Sequence, residues 1–221
     1  MMLQDRHEAG RLLARELQRF ADRPDVIVLG LPRGGVPVAY EVATALNVPL
    51  DVFVVRKLGL PGREEFAVGA IASGGLRVLN VPFIRFNGAS EDDLSDALER
   101  ESKELDRRER VYREGRRLPN LFGRTVILVD DGLATGASMQ AAVMALKKAQ
   151  PDRIVVAVPV APKETRDALR AIADEIVCAL PSDPFRAAGL RYRDFERTSD
   201  EEVRKLLEDA RTQSAEPALA G

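Results

Sequence analysis

The stretch Val126-Ile127-Leu128-Val129-Asp130-Asp131-Gly132-Leu133-Ala134-Thr135-Gly136-Ala137-Ser138 decides the fold. Four apolar residues in succession, Val126 to Val129, are the pattern of a strand covered on both faces. Asp130 and Asp131 end the run. Two adjacent carboxylates therefore stand at the carboxyl edge of a sheet, where open α/β folds bind ligands. A short turn with a glycine and two small hydroxyl residues follows, and it opens a helix from about Gly136 to Ala149.

The same strand–turn–helix unit recurs to either side. Val26 to Leu29 precedes Gly30-Leu31-Pro32-Arg33-Gly34-Gly35 and a helix from about Val36 to Leu46, and Val52 to Val55 is the next strand. Downstream, Ile154 to Val158 precedes a helix from about Lys163 to Ile172, and Ile176 to Ala179 is another buried strand. Leu12, Leu13, Leu17 and Phe20 form the apolar stripe of an N-terminal helix. The expected class is α/β, a Rossmann-like parallel sheet with helices on both faces. Two segments break the rhythm. Phe66 to Ile71 and Arg77 to Val81, joined around Ser73-Gly74-Gly75, predict a small antiparallel hairpin inserted as a hood, within about 58–82. Glu91 to Arg117 predicts a long charged helix with Leu98, Leu105 and Tyr112 seven apart: either a partner-facing seam or one edge packed on its own domain. The residues 212–221, small and polar from Thr212 onward, are expected to fray. With no internal repeat and no linker, residues 1–221 read as a single domain.

Composition narrows the function. Of 221 residues, 45% are hydrophobic and 31% charged, which fits a globular chain with a core. The 33 basic and 35 acidic residues nearly cancel, so neither nucleic acid nor an anionic membrane is favoured as a partner, and anion recognition must be local. One cysteine, Cys178, excludes an internal disulfide and a multi-cysteine metal site. A lone histidine, His7, removes the two-histidine zinc motif, and removes a Ser-His-Asp triad unless His7 itself takes part; in its charged helix it is expected to face solvent. Cys178, in an apolar strand, is expected to be a buried small hydrophobe. The charged start, Met1 to Glu8, lacks a signal-peptide core, and the expected location is the cytosol.

The helix start after the acids offers unpaired N–H groups and a positive dipole end, a site for a phosphate. Gly136 allows close approach, and Thr135 and Ser138 add hydroxyl donors. Carboxylates repel a phosphate, so Asp130 and Asp131 call for hydroxyls or a cation instead. A sugar phosphate satisfies both halves, with ribose hydroxyls on Asp130 and Asp131 and the 5-phosphate in the cradle Ala134, Thr135, Gly136, Ala137 and Ser138.

These thirteen positions, 126–138, resemble the phosphoribosyl pyrophosphate (PRPP) motif of type I phosphoribosyltransferases. Gly30 to Gly35 is similar to the family's pyrophosphate loop. There the N–H groups of Gly34 and Gly35 can form an anion-binding concavity beside Arg33, and the glycines suit the non-proline cis peptide that family members often carry. Val54-Val55-Arg56-Lys57-Leu58-Gly59-Leu60-Pro61-Gly62 is similar to the Arg-Lys…Leu-Pro-Gly segment of adenine phosphoribosyltransferases, one residue shorter. It places Arg56 and Lys57 at a strand's carboxyl end as a diphosphate clamp.

The resemblance implies transfer of ribose 5-phosphate from PRPP to a nitrogenous acceptor, with Asp130, Asp131, Arg56 and Lys57 at the reacting centre. It implies a Mg2+ ion held mainly through PRPP and water, a homodimer, and a flap hinged at Gly59 and Gly62 that carries Glu64 and Glu65. Ala134 stands where 6-oxopurine enzymes carry an aspartate, which argues against hypoxanthine or guanine as acceptor. Pro181 to Phe185, with Tyr192 and Phe195, either line a base pocket or seal the C-terminal helix. The competing function is a PRPP or nucleotide sensor that does not turn over.

Overall fold

The structure, a computed structural model, describes residues 2–60, 63–86, 89–181 and 188–215. In chain order the elements are α1 (Arg6–Glu16), β1 (Val26–Gly30), α2 (Gly35–Leu46), β2 (Leu50–Val52), β3 (Val55–Leu60), β4 (Arg63–Ala72), β5 (Leu76–Leu79), α3 (Val81–Phe86) and α4 (Glu91–Arg113). They continue with β6 (Thr125–Val129), α5 (Ala137–Leu146), β7 (Arg153–Ala161), α6 (Lys163–Arg170), β8 (Glu175–Pro181) and α7 (Asp200–Ala215). Five strands form a parallel sheet in the order β2-β1-β6-β7-β8.

Strand periodicity assigns the two cores. Val26 and Val28 of β1 with Ile127 and Val129 of β6 face α1, α2 and α7. Ile27, Leu29, Val126 and Leu128 face the opposite way, toward Met139, Ala142 and Val143 of α5 and Leu169 of α6. The strand order reverses between β1 and β6. A crevice opens at such a switch point because the connections from the two strands leave in opposite directions. Both connections here are the loops that the sequence marks for chemistry, Leu31–Gly34 and Asp130–Gly136.

The apolar run Val52 to Val55 does not make one strand. β2 ends at Val52, and Phe53 and Val54 carry the chain out of the parallel sheet, with the Phe53 N–H on the Gly30 carbonyl at 2.9 Å and the Val54 N–H on Ser73 Oγ at 2.9 Å. β3 then begins a second, antiparallel sheet, β3-β4-β5. The expected hairpin is β4–β5, and β3 extends it to a hood of three strands. Val52, Phe53 and Val54 are all buried, so no polar residue punctuates the crossing. β4 and β5 meet at Ser73–Gly75, where Gly74 and Gly75 hold φ of 74° and 73°.

α4 covers the hood on one side. A capping box of Ser90 and Asp93 starts it, and left-handed Glu114 and Gly115 end it four residues short of Arg117. Leu105 and Tyr112 are buried in the domain's own core with Leu98 packed against them, so the seven-residue stripe is an intramolecular edge. Thr212–Ala215 form the last turn of α7, with Gln213 Nε2 donating to the Tyr40 hydroxyl at 2.9 Å. Residues 216–221 lie outside the described residues. Among the described residues, no helix is long and apolar enough to cross a membrane.

Candidate functional site

The acid loop leaves β6 at the switch point. Asp130 Oδ1 accepts the Asp131 N–H at 2.9 Å, which turns the first carboxylate back onto the loop. Burial, and then the neighbouring Asp131 charge, push the Asp130 carboxyl well above the usual carboxylate range. Asp131 is gripped from two sides. Its Oδ2 accepts Arg6 Nε at 2.8 Å, and its carbonyl accepts the Tyr192 hydroxyl at 2.6 Å.

The glycine loop runs against these acids. The Leu31 N–H reaches across to the Val129 carbonyl at 2.8 Å. A Cβ on Gly34 would overlap Asp131 Oδ2 and lie 2.8 Å from its Cγ; one on Gly35 would lie 2.8 Å from the Val129 carbonyl oxygen and 2.9 Å from Asp130 Cα. The main chain of the acid loop therefore requires glycine at 35, and the Asp131 carboxylate fills the space a Cβ at 34 would take. The expected anion concavity is altered, because the Gly35 N–H is bound by the Leu31 carbonyl at 3.0 Å. The non-proline cis peptide falls at Pro32–Arg33, ahead of the glycines.

The acid loop ends at the start of α5. Gly136 sits at φ 70°, a left-handed cap that favours glycine, and the first turn carries no acidic residue. Thr135 and Ser138 are exposed beside it, with Thr135 Oγ1 accepting the Ala137 N–H at 3.4 Å. Thr165 of α6 secures the turn: its Oγ1 donates to the Ala134 carbonyl at 2.6 Å, and a Cβ on Gly136 would come within 2.5 Å of its Cγ2.

The cations are distributed differently from expectation. Arg33 is half-exposed, 3.7 Å from Asp200 Oδ1 at the head of α7, and that same oxygen accepts the Tyr112 hydroxyl at 2.6 Å. Arg56 and Lys57 do not end a strand of the parallel sheet. They lie within β3, paired with Ile71 and Ala70. Arg56 donates Nε to Glu101 Oε2 of α4 at 2.8 Å, an acid that is itself buried. Lys57, one residue on, belongs to the opposite face of the hood.

Tyr192 and Phe195 stand together beside the N-terminal segment and the acid loop. Tyr192 is buried, stacks on Phe195 at 4.8 Å, and stands beside Leu3, its partner in an isolated β-bridge. Residues 182–185 lie outside the described residues, as do 61 and 62 of the flap, and the side chains of Glu64 and Glu65 are not described. His7 is not simply solvated, since Nδ1 meets Glu41 Oε1 at 2.8 Å. Cys178 is only partly buried on β8, though burial raises its thiol above the ordinary range.

The sequence model described as "Phosphoribosyl transferase domain" matches residues 3–193. The chain belongs to the phosphoribosyl transferase family. A Mycobacterium tuberculosis H37Rv protein named "Putative phosphoribosyl transferase Rv0571c" is 46% identical over 217 residues, 97% of this chain and 48% of that protein. A counterpart in strain CDC 1551 aligns equally well. The chain thus spans about half the length of the curated relatives it matches. The crystal structure of TT1426 from Thermus thermophilus superposes with a TM-score of 0.85 at 44% identity, over 95% of this chain and 99% of that one. AQ2163 from Aquifex aeolicus, 13% identical with a TM-score of 0.51 over 83% of this chain and 78% of that one, shares the fold. Family membership fits the two loops that meet at the switch point. Arg6 and Thr165, which hold the acid loop at Asp131 and at Ala134, carry no motif of their own.

Proposed function

We propose that this phosphoribosyl transferase moves ribose 5-phosphate from PRPP to a nitrogenous acceptor, a nucleobase, and releases pyrophosphate. One observation carries the reading: paired carboxylates and a helix start whose cap residue, Gly136, has no side chain, opposite in electrostatic sign, share the crevice between β1 and β6. The α5 N–H groups with Thr135 and Ser138 bind the 5-phosphate, and Ala134, Gly136 and Ala137 supply the close backbone wall. Binding there is remote from the reacting carbon and serves orientation. Asp130 and Asp131 hold the ribose hydroxyls and favour the positive charge that builds on the ring.

The C1–oxygen bond breaks with its electron pair leaving on the diphosphate. The acceptor nitrogen's lone pair forms the new C1–N bond, and the proton on that nitrogen is released. Arg33 and the Gly34 N–H face the departing diphosphate, with Lys57 reaching it from the hood when the flap closes and Arg56 joining on release from Glu101. Mg2+ fits this donor set: it takes oxygen ligands and keeps several waters, and a carboxyl pushed up by burial and then by an acidic neighbour is one that a cation relieves. Asp130 and Asp131 would hold it through water and substrate oxygens, and the ion supplies neutralisation of diphosphate charge.

The Arg56–Glu101 pair favours a second reading, a PRPP sensor, since one clamp cation is already committed to α4. PRPP-dependent pyrophosphate release against a panel of purines, pyrimidines and small amines separates the two. The enzyme reading expects release with one acceptor; tight PRPP binding with no release on any acceptor establishes the sensor; absence of PRPP binding ends both.

A further inference from the structure

We infer that Arg6 is a positioning residue for ribose binding, acting through Asp131; the inference rests on the function proposed above. Asp5 caps α1 by accepting the Glu8 N–H at 2.8 Å, which fixes Arg6 at the first helical position. From there the side chain meets three groups. Nε donates to Asp131 Oδ2 at 2.8 Å, Nη1 donates to the Glu196 carbonyl at 2.6 Å, and the guanidinium lies 4.0 Å from the centre of the Phe195 ring.

Those contacts close on themselves. Phe195 stacks on Tyr192, and the Tyr192 hydroxyl returns to the Asp131 carbonyl. Asp131 is therefore held at both its side chain and its main chain by one connected set of groups. With the Arg6 side chain only 12% exposed and stacked on a ring, its planar fork has little freedom to lose when it orients a carboxylate. Nε engages Oδ2 and leaves Oδ1 to accept a hydroxyl.

Charge gives the contact a second role. PRPP is a polyanion, and two bare carboxylates beside it repel it. Arg6 offsets one of those negative charges while touching neither phosphate cradle nor diphosphate loop by hydrogen bond. The absence of a Cβ at Gly34, whose ideal position lies 3.2 Å from Arg6 Nε, lets the guanidinium, the acid and the loop meet at one point.

The test is PRPP titration calorimetry with thermal melts on the full chain, comparing the native protein with Arg6→Gln, Arg6→Lys, Asp131→Asn and the Arg6→Gln/Asp131→Asn double variant. Arg6→Gln should weaken PRPP binding about ten- to a hundredfold, the range for losing a hydrogen bond to a charged group. Arg6→Lys should recover part of the loss, because a cation returns without the fork. On the Asp131→Asn background, Arg6→Gln should cost less than about twofold more, the signature of two residues acting as a unit. Unchanged affinity in Arg6→Gln, or fully additive losses in the double variant, overturns the inference. If Arg6→Gln melts below the working temperature, Phe195→Leu, which removes only the stacking, enters the same cycle with the same expected non-additivity. Native protein that gives no heat with PRPP fails the proposed function itself, an outcome distinct from a native protein that binds and an Arg6 variant that binds equally well.

Discussion

Gly34→Ala tests whether the crowding between the two loops at the switch point matters to binding. Gly34 has φ −61° and ψ −29°, a conformation any residue adopts, so alanine brings no backbone strain. By the unfolded-state argument alone the substitution would stabilise by about 0.4–1 kcal/mol. Against this, the new Cβ overlaps Asp131 Oδ2, and the carboxylate must turn away from Arg6. Both partners are mostly buried, 12% and 15% exposed, so losing this charged hydrogen bond costs about 1.5–3 kcal/mol. The net expectation is a loss of about 0.5–2.5 kcal/mol in urea unfolding, or a few degrees in melting temperature. PRPP affinity should fall at least about tenfold, since one ribose acid has left its place. Gly35→Ala is the control, because its Cβ strikes the Val129 carbonyl and the Asp130 main chain, which cannot rotate aside. It should destabilise more than Gly34→Ala. Gly34→Ala protein that binds PRPP as the native chain does would refute the reasoning, and so would the reverse order of stabilities.

Three further variants test the acid loop and the hood. Asp130→Asn should abolish PRPP binding with the circular dichroism spectrum unchanged. Because the folded-state pKa of Asp130 is raised, the native chain loses stability as pH climbs from about 4 toward that raised value, and the Asn variant should lack this part of the slope in denaturation across pH. Thr165→Val removes the hydroxyl from the Ala134 carbonyl; a loss of about 1 kcal/mol in stability and a severalfold weaker PRPP complex should appear in unfolding and calorimetry. Glu101→Gln leaves Arg56 without its buried acid and should cost about 1–3 kcal/mol. If the pair restrains Arg56 in the resting protein, the same variant should bind pyrophosphate more tightly, measured by calorimetry.

The parallel core is legible because its strands are written without polar interruption. Val26 to Leu29, Val126 to Val129 and Ile154 to Val158 each appear as strands with the turns and helices expected after them. The Asp130–Ser138 loop is legible for a local reason: strand, acids, glycine and helix start are consecutive, so spacing alone brings them together. The exit of Val52–Val55 into the hood is not, since both sheets bury that run and a buried strand has one appearance whichever sheet it joins. Arg56 and Lys57 move with it, away from the edge where the sequence puts them. Gly34 and Gly35 stand out in the sequence for their N–H groups, whereas the decisive fact is what a Cβ would strike, a property of a loop about a hundred residues away. Arg6 and Thr165 leave no trace at all. Their partners stand 125 and 31 residues distant, and nothing in a charged helix start or a lone threonine announces such a bond.

The pairing of Leu3 with Tyr192 has a consequence for the order in which a nascent chain matures. The Leu3 N–H bonds the Arg191 carbonyl at 2.8 Å, and the Arg193 and Asp194 N–H groups return to Leu3 and Gln4 at 2.9 Å each. Leu3 and Gln4 leave the ribosome well before their partners and must wait until the 191–194 segment emerges. All five parallel strands precede that segment, so the sheet can assemble first, and the grip on Asp131 closes after it.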